Sequence, residues 1–433
     1  MRLGPDGFLG AVLAAEGCGA KAMINGPGGC RSRTLNLWRE LSIEYGGEES
    51  GCCRSKYLSR QSHLPCTYLN SDDMVLGSGN KMTDGLRSVS SASSEDIVLI
   101  DTLGASLQVA DRGKAVRDSG TEGRTVLSDD DLSALSMAEG FDRTVSALVR
   151  NAGLGKGERK GHVSILGYSL ADSCWNYGKE NISRLLALMD VETDSFVGCG
   201  SSKAEISSSG TSEAVVLLHP EMSAETSEVY RSAGCGTVVP RKGAPIGFPA
   251  IRSFLEDVAD ATGTSPDRAL EAVDAEEERI FRILRNCDKD SRAFRGLCCA
   301  LKGMPSDTLP LMEWMYGLFG MVPSSVEKAY CGGSVYDAGI SRFLEETDRS
   351  GALGMKVGGR GLAAVFTDGL GAEEYKALHP EVACIGISMP YARKGEFMDR
   401  SLVGLGGCRY LLDSLINGCG EFRCGQPTMA DFR

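Results

Sequence analysis

Short β-branched or apolar runs alternate with amphipathic stretches along almost the whole chain, and this alternation restricts the fold more than any other feature. Candidate strands are Ile97–Ile100, Val163–Tyr168, Ala214–His219, Thr237–Val239, Leu297–Leu301, Ala363–Thr367 and Cys384–Ile387. Helical patterns fall between them at Lys179–Met189, Ala224–Ala233, Phe248–Thr262 and Leu309–Phe319. Strand–helix alternation of this kind builds parallel sheets with helices on both faces. With 433 residues the chain has length for two or three such units, each with its own core. Breaks near Gly153–Gly161 and Thr262–Pro266 mark candidate boundaries, giving segments 1–160, 161–263 and 264–433. The Asp267 to Arg292 region reads as one long, heavily charged helix able to bridge two units. Gly7–Ala15 reads as a buried first helix rather than a signal peptide, because a convincing charged region is missing. Arg112–Asp130 lacks periodicity and reads as a loop or linker. Tyr45–Ser62 is polar, glycine-rich and irregular.

Composition narrows the function. A net charge of −12 opposes non-specific nucleic-acid binding, which needs a basic surface. No apolar run approaches the length of a membrane span. Sixteen cysteines in a large α/β chain, some of them adjacent (Cys52-Cys53, Cys298-Cys299), suit a reduced interior rather than a secreted disulfide framework. The expected location is the cytoplasm, in an anaerobic setting. With four histidines, imidazole-based metal chemistry is not expected to dominate. No GxxxxGK(S/T) sequence occurs, so no Walker A loop is present and the chain is not expected to hydrolyse ATP alone. Gly153-Leu154-Gly155-Lys156-Gly157 has the wrong spacing and reads as a solvated turn.

Chemistry concentrates at Ala22-Met23-Ile24-Asn25-Gly26-Pro27-Gly28-Gly29-Cys30. This reads as a short buried strand, a glycine turn, and a cysteine in the first turn of a helix. Unpaired N–H groups there favour a thiolate, and Gly28 and Gly29 leave bare backbone for a bulky anionic group such as an iron–sulfur cluster. A second cysteine, Cys66, opens the run Cys66-Thr67-Tyr68-Leu69-Asn70-Ser71-Asp72-Asp73-Met74-Val75-Leu76-Gly77, followed by Lys81-Met82-Thr83-Asp84-Gly85-Leu86. Together these motifs resemble component 1 of the nitrogenase superfamily. That superfamily includes nitrogenase α and β subunits, cofactor-assembly scaffolds, the dark tetrapyrrole reductases and the nickel-tetrapyrrole reductive cyclase. The segments Val163–Tyr168, Glu180–Met189, Ala214–His219, Gly243–Gly247, Phe254–Thr262, Ile385–Pro390 and Val403–Gly407 through Asn417 continue the resemblance in order.

The resemblance implies an α/β fold of three Rossmann-like domains with parallel sheets around a central cavity. It implies Cys30 and Cys66 as ligands of an interface cluster. Thr102 falls near the position of the family's third cysteine, so two cysteines per chain, doubled by a twofold axis, match the four thiolates of a 4Fe-4S cluster. A homodimer fits this arithmetic, and a heterodimer with a paralogous subunit is the alternative. The implied electron donor is a separate ATP-dependent iron–sulfur reductase homodimer of the P-loop class. A catalytic cofactor's cysteine and histidine have no counterparts near Leu218-His219-Pro220 and Lys394, which opposes dinitrogen reduction. The implied activity is reduction of an unsaturated substrate, a tetrapyrrole being the leading candidate. The rival readings are a scaffold for assembly of a metal–sulfur cofactor, and a binding subunit that has lost its cluster.

The remaining polar residues are weaker. Asp101 and His219 end apolar strands, where open α/β sheets place ligand-contacting groups, and are candidate catalytic residues. Capping or packing accounts for each equally well. Cys52 and Cys53 are alternate ligands in an apparent insertion, although incidental thiols in a loop are the simpler reading. Cys419 and Cys424 cannot hold a cluster by themselves. Cys199 suits a turn, and Cys298-Cys299 a buried strand.

Overall fold

The computed structural model describes residues 6–38, 64–108, 110–128, 132–157, 159–287, 294–358, 361–389 and 398–418. Cys52, Cys53, Lys394, Cys419, Cys424 and the Tyr45–Ser62 insertion lie outside the described residues. Three parallel sheets organise the chain. The first has the order β1 (Lys21–Asn25), β2 (Ile97–Asp101), β3 (Thr125–Leu127). The second runs β5 (Glu192–Val197), β4 (Arg159–Leu166), β6 (Ser212–Leu217), β7 (Gly236–Val238). The third runs β11 (Ala383–Ser388), β10 (Leu362–Asp368), β8 (Cys298–Gly303), β9 (Val322–Lys328). Every strand pair is parallel. The fold is therefore α/β, as the alternation requires. The helix expected at Phe248–Thr262 has those bounds, and the long charged helix covers Asp267–Asn286. Among the described residues no helix is long and apolar enough to cross a membrane.

Arg112–Asp130 corrects the reading as a loop. It contains a helix, Arg112–Ser119, and the strand β3. The helix is short and polar, so it lacks an apolar stripe. Its ends are nevertheless encoded, because the Asp111 side chain accepts from Lys114 N–H at 2.7 Å and Gly120 adopts φ 72°. β5 and β9 are likewise absent from the pattern of apolar runs. Their apolar character is interrupted by Glu192-Thr193-Asp194 and by Ser324-Ser325, so neither presents a continuous run.

The first helix, Gly7–Gly17, is buried at all eleven positions. It packs against the amphipathic helix Met137–Ala152 through glycine. A Cβ at Gly10 would lie 2.1 Å from the Met137 carbonyl oxygen, and one at Gly140 2.1 Å from that of Gly7. Backbones this close leave no space for a methyl group, so the pair is held at one separation. The Gly10→Ala variant is expected to lose about 1–3 kcal/mol of stability by chemical denaturation. Gly317→Ala, in an exposed turn of the helix Pro305–Phe319 with nothing within 4 Å, is expected to gain up to about 1 kcal/mol.

Candidate functional site

The site is built at the carboxyl end of β1. Residues 65–69 run beside this strand as a short parallel extension of the first sheet. Ile24 N–H donates to the Pro65 carbonyl at 2.9 Å, Thr67 N–H to Ile24 at 3.0 Å, and Leu69 N–H to Gly26 at 3.0 Å. Cys66 thus stands opposite Ile24. The chain leaves β1 through Gly26 and Pro27 and enters the helix Gly28–Trp38, with Cys30 in its first turn. Cys30 N–H closes that turn on the Pro27 carbonyl at 3.1 Å. Both thiols are half-buried. They are near enough that a negative charge on Cys30 disfavours one on Cys66.

Two glycines make the arrangement possible. A Cβ at Gly26 would lie 2.3 Å from Thr102 Oγ1, so the β1 exit can pass over the β2 exit only without a side chain. Gly28 lies under the Tyr68 ring, whose nearest carbon is 3.1 Å from where a Cβ would sit. Around Gly29, by contrast, nothing lies within 4 Å of that position, which leaves open space beside Cys30.

Beneath the turn lies a polar lattice. Thr67 Oγ1 donates to Asn25 Oδ1 at 3.0 Å and accepts from Gly26 N–H at 2.9 Å. Asn25 Nδ2 donates to Asp101 Oδ1 at 2.8 Å, and Arg112 approaches the other Asp101 oxygen at 3.6 Å. Thr102 Oγ1 donates to the Asn25 carbonyl at 3.2 Å and caps Ala105 N–H at 3.4 Å. Thr102 is thus engaged as a buried cap. Asp101 borders a cavity of about 140 Å³ that Cys30, Arg33 and Ser106 also line. Of the candidate residues, then, Cys30, Cys66, Gly28, Gly29 and Asp101 come together, and His219 lies elsewhere.

Cys66 donates its S–H to the Gly26 carbonyl at 3.3 Å and accepts from Tyr68 N–H at 3.4 Å. Burial pushes its thiol pKa up, against the lowering pull of the Tyr68 amide and the Arg31 guanidinium. The segments that follow Cys66 and β2 carry exposed apolar side chains. Val75 and Leu76 are 84% and 85% exposed, and Tyr68, Leu103 and Leu107 are also exposed. Gln108 Nε2 donates to the Asp73 carbonyl at 3.0 Å and joins the two segments carrying these side chains. Leu103 borders the cavity that Cys30 lines, and large apolar residues this exposed on neighbouring segments mark an interaction surface. Arg31 and Tyr68 belong to no motif that singles them out in the sequence. Their adjacency to Cys30 and Cys66 is visible there, but their mutual contact depends on residues 33 and more positions apart.

His219 follows β6 and is 1% exposed. Its Nε2 contacts Asp307 Oδ1 at 2.9 Å, its Nδ1 the Gly167 carbonyl at 3.0 Å, and Asp172 lies 3.9 Å away. Burial alone lowers the imidazole pKa, but the attraction of Asp307 and Asp172 outweighs it and lifts the value to about 10. Next to it, Glu221 Oε1 accepts from Ser306 N–H at 2.9 Å and Ser334 Oγ at 2.6 Å. These contacts join the second sheet to the helix Pro305–Phe319, and Leu218 beside them is fully buried. A larger cavity, about 620 Å³, lies apart from both places, bordered by Cys174, Glu373, Cys384, Arg400, Arg409 and Tyr410. Among the described residues, no group of three or more His, Cys, Asp and Glu side chains is gathered as a metal site.

Three parallel sheets with a cysteine pair at the first strand's exit define a component 1-like oxidoreductase architecture. The model for the nitrogenase component 1 type oxidoreductase family matches residues 7–327, well over half of the chain, and the chain belongs to that family. Two solved structures share its fold. Nitrogenase Cp1 at pH 6.5 aligns with 16% identity and a TM-score of 0.79, over 100% of this chain and 96% of that one. Nitrogenase Cp1 at pH 5 aligns with 14% identity and a TM-score of 0.66, over 98% and 90%. No curated protein matches the sequence.

The raised pKa of His219 fixes a sign. Its folded value, about 10, exceeds the ordinary 6.5, so its stabilisation is complete below about pH 6.5 and disappears as pH rises through about 10. The stability gap between wild type and His219→Gln, measured by denaturation, is expected to be widest near pH 6 and to close above pH 10.

Proposed function

We propose that this chain is the substrate-reducing component of a two-component, ATP-dependent nitrogenase-like reductase, and that Cys30 and Cys66 are its cluster ligands. The observation that carries the reading is the convergence of these two half-buried thiols beside the open space at Gly29, in a member of the component 1 family. The donor set fits an iron–sulfur cluster in kind, since cluster ligands are thiolates, and in number it fits half of one. When bound, the cluster supplies one-electron transfer.

The chain's own residues prepare the site. The Pro65–Leu69 pairing holds Cys66 opposite Ile24, on the strand whose exit leads to Cys30, and Tyr68 N–H is a donor toward the Cys66 sulfur. The exposed Val75, Leu76, Leu103 and Leu107 exclude water once covered by another chain. We assign that cover to a second copy of this chain, which brings its own two thiols and completes the set of four; a paralogous subunit is the alternative. A separate P-loop iron–sulfur protein acts as electron donor. The substrate is an unsaturated, bulky molecule, with a tetrapyrrole the leading candidate. Two features support this class. Leu218 and His219 occupy the neighbourhood of a cofactor cysteine and are closed in by the chain's own contacts. The 620 Å³ cavity has the size of a small-molecule site.

Anaerobically purified wild type is expected to carry about four irons and four acid-labile sulfides per two chains. Cys30→Ala and Cys66→Ala are each expected to carry close to none, with unchanged far-UV circular dichroism. Iron retained at the wild-type level in both variants would remove these cysteines from the mechanism.

A further inference from the structure

Arg31 follows Cys30 directly and reaches back across Cys66. Its Nε donates to the Leu64 carbonyl at 2.9 Å, and its guanidinium carbon stands 5.4 Å from the centre of the Tyr68 ring. Leu64 and Tyr68 lie two residues to either side of Cys66, so the cation is fastened on both sides of that thiol. Tyr68 completes the clamp. Its backbone takes the left-handed φ of 51°, which places its N–H on the Cys66 sulfur and its ring over Gly28. The neighbouring cation, Lys81, differs. It reaches the Tyr68 carbonyl at 3.3 Å but is paired with Asp73 at 2.6 Å. Among the described residues no carboxylate forms an ion pair with Arg31.

We propose that Arg31 is a positioning residue that sets the electrostatics of the cysteine pair, offsetting the thiolate charge of Cys30 and Cys66 and raising the reduction potential of the cluster they hold. The inference rests on the reading of these cysteines as ligands. A fixed positive charge beside a cluster favours the form that carries the extra electron, and a partly buried site screens that charge less than water does. Arginine suits the position because its planar fork donates and stacks at once. Lysine keeps the charge with poorer geometry.

The test compares wild type, Arg31→Gln, Arg31→Lys and a second neutral variant, Arg31→Met. After anaerobic reconstitution, a redox titration followed by electron paramagnetic resonance is expected to give a more negative midpoint for Arg31→Gln and a value nearer wild type for Arg31→Lys. A midpoint unchanged in Arg31→Gln at wild-type iron content would overturn the proposal. If Arg31→Gln fails to retain iron, Arg31→Met is titrated in its place, and an unchanged midpoint there overturns the proposal. If wild type itself holds no iron, the ligand reading fails and the proposal falls with it.

Discussion

Everything at the cysteine pair depends on the backbone pairing of Pro65–Leu69 with the end of β1. Three N–H donors bond across that junction, and Gly26 N–H adds a fourth contact through the Thr67 hydroxyl. Without it, Cys66 belongs to a segment 36 residues downstream with nothing to fix its distance from Cys30. With it, the thiols, the Tyr68 ring and the Arg31 guanidinium share one small surface. The pairing itself requires Gly26, because the β1 exit passes too near Thr102 for any side chain.

Two buried polar systems divide the labour. Beneath the cysteines, Asn25, Thr67, Asp101 and Thr102 bond to one another and tie the exits of β1 and β2 together, so the cysteine-bearing segments sit on a rigid base. Farther along the chain, His219 and Asp307 form an ion pair, with Asp172 nearby, that fastens the second sheet to the helix Pro305–Phe319. Breaking either partner of such a pair leaves an uncompensated charge in the interior, which costs several kcal/mol, about 3–5. The first system positions chemistry, and the second holds elements together. The polar chemistry of His219 is directed inward, toward the chain's own groups.

The strand–helix alternation was legible because most strands carry uninterrupted apolar runs, as Ile97–Asp101 and Leu362–Asp368 do. β5 and β9 were not, since polar residues break their patterns, and β3 is only three residues long. At the site, the glycine turn announced Cys30, because bare backbone leading into a helix's first turn is where a thiol most readily ionises and meets a bulky group. Cys66 was legible only through the motif around it. The Arg31–Leu64 bond, the Thr102–Asn25 bond and the His219–Asp307 pair join residues 33 to 88 positions apart, and no local pattern records them. Asp101 and His219 looked alike as polar residues ending strands. The fold separates them: Asp101 shares a cavity with Cys30, whereas His219 is sealed in the junction.

The central claim is that this chain carries half of a cluster site and that another chain completes it. Native mass spectrometry of anaerobically purified protein tests this most directly, because it reads assembly state and bound iron in the same ions. The account predicts iron and sulfide, about four of each, on two-chain ions, and monomer ions free of iron. Monomers that retain a full complement of iron, or stable two-chain ions without any after reconstitution, would contradict it.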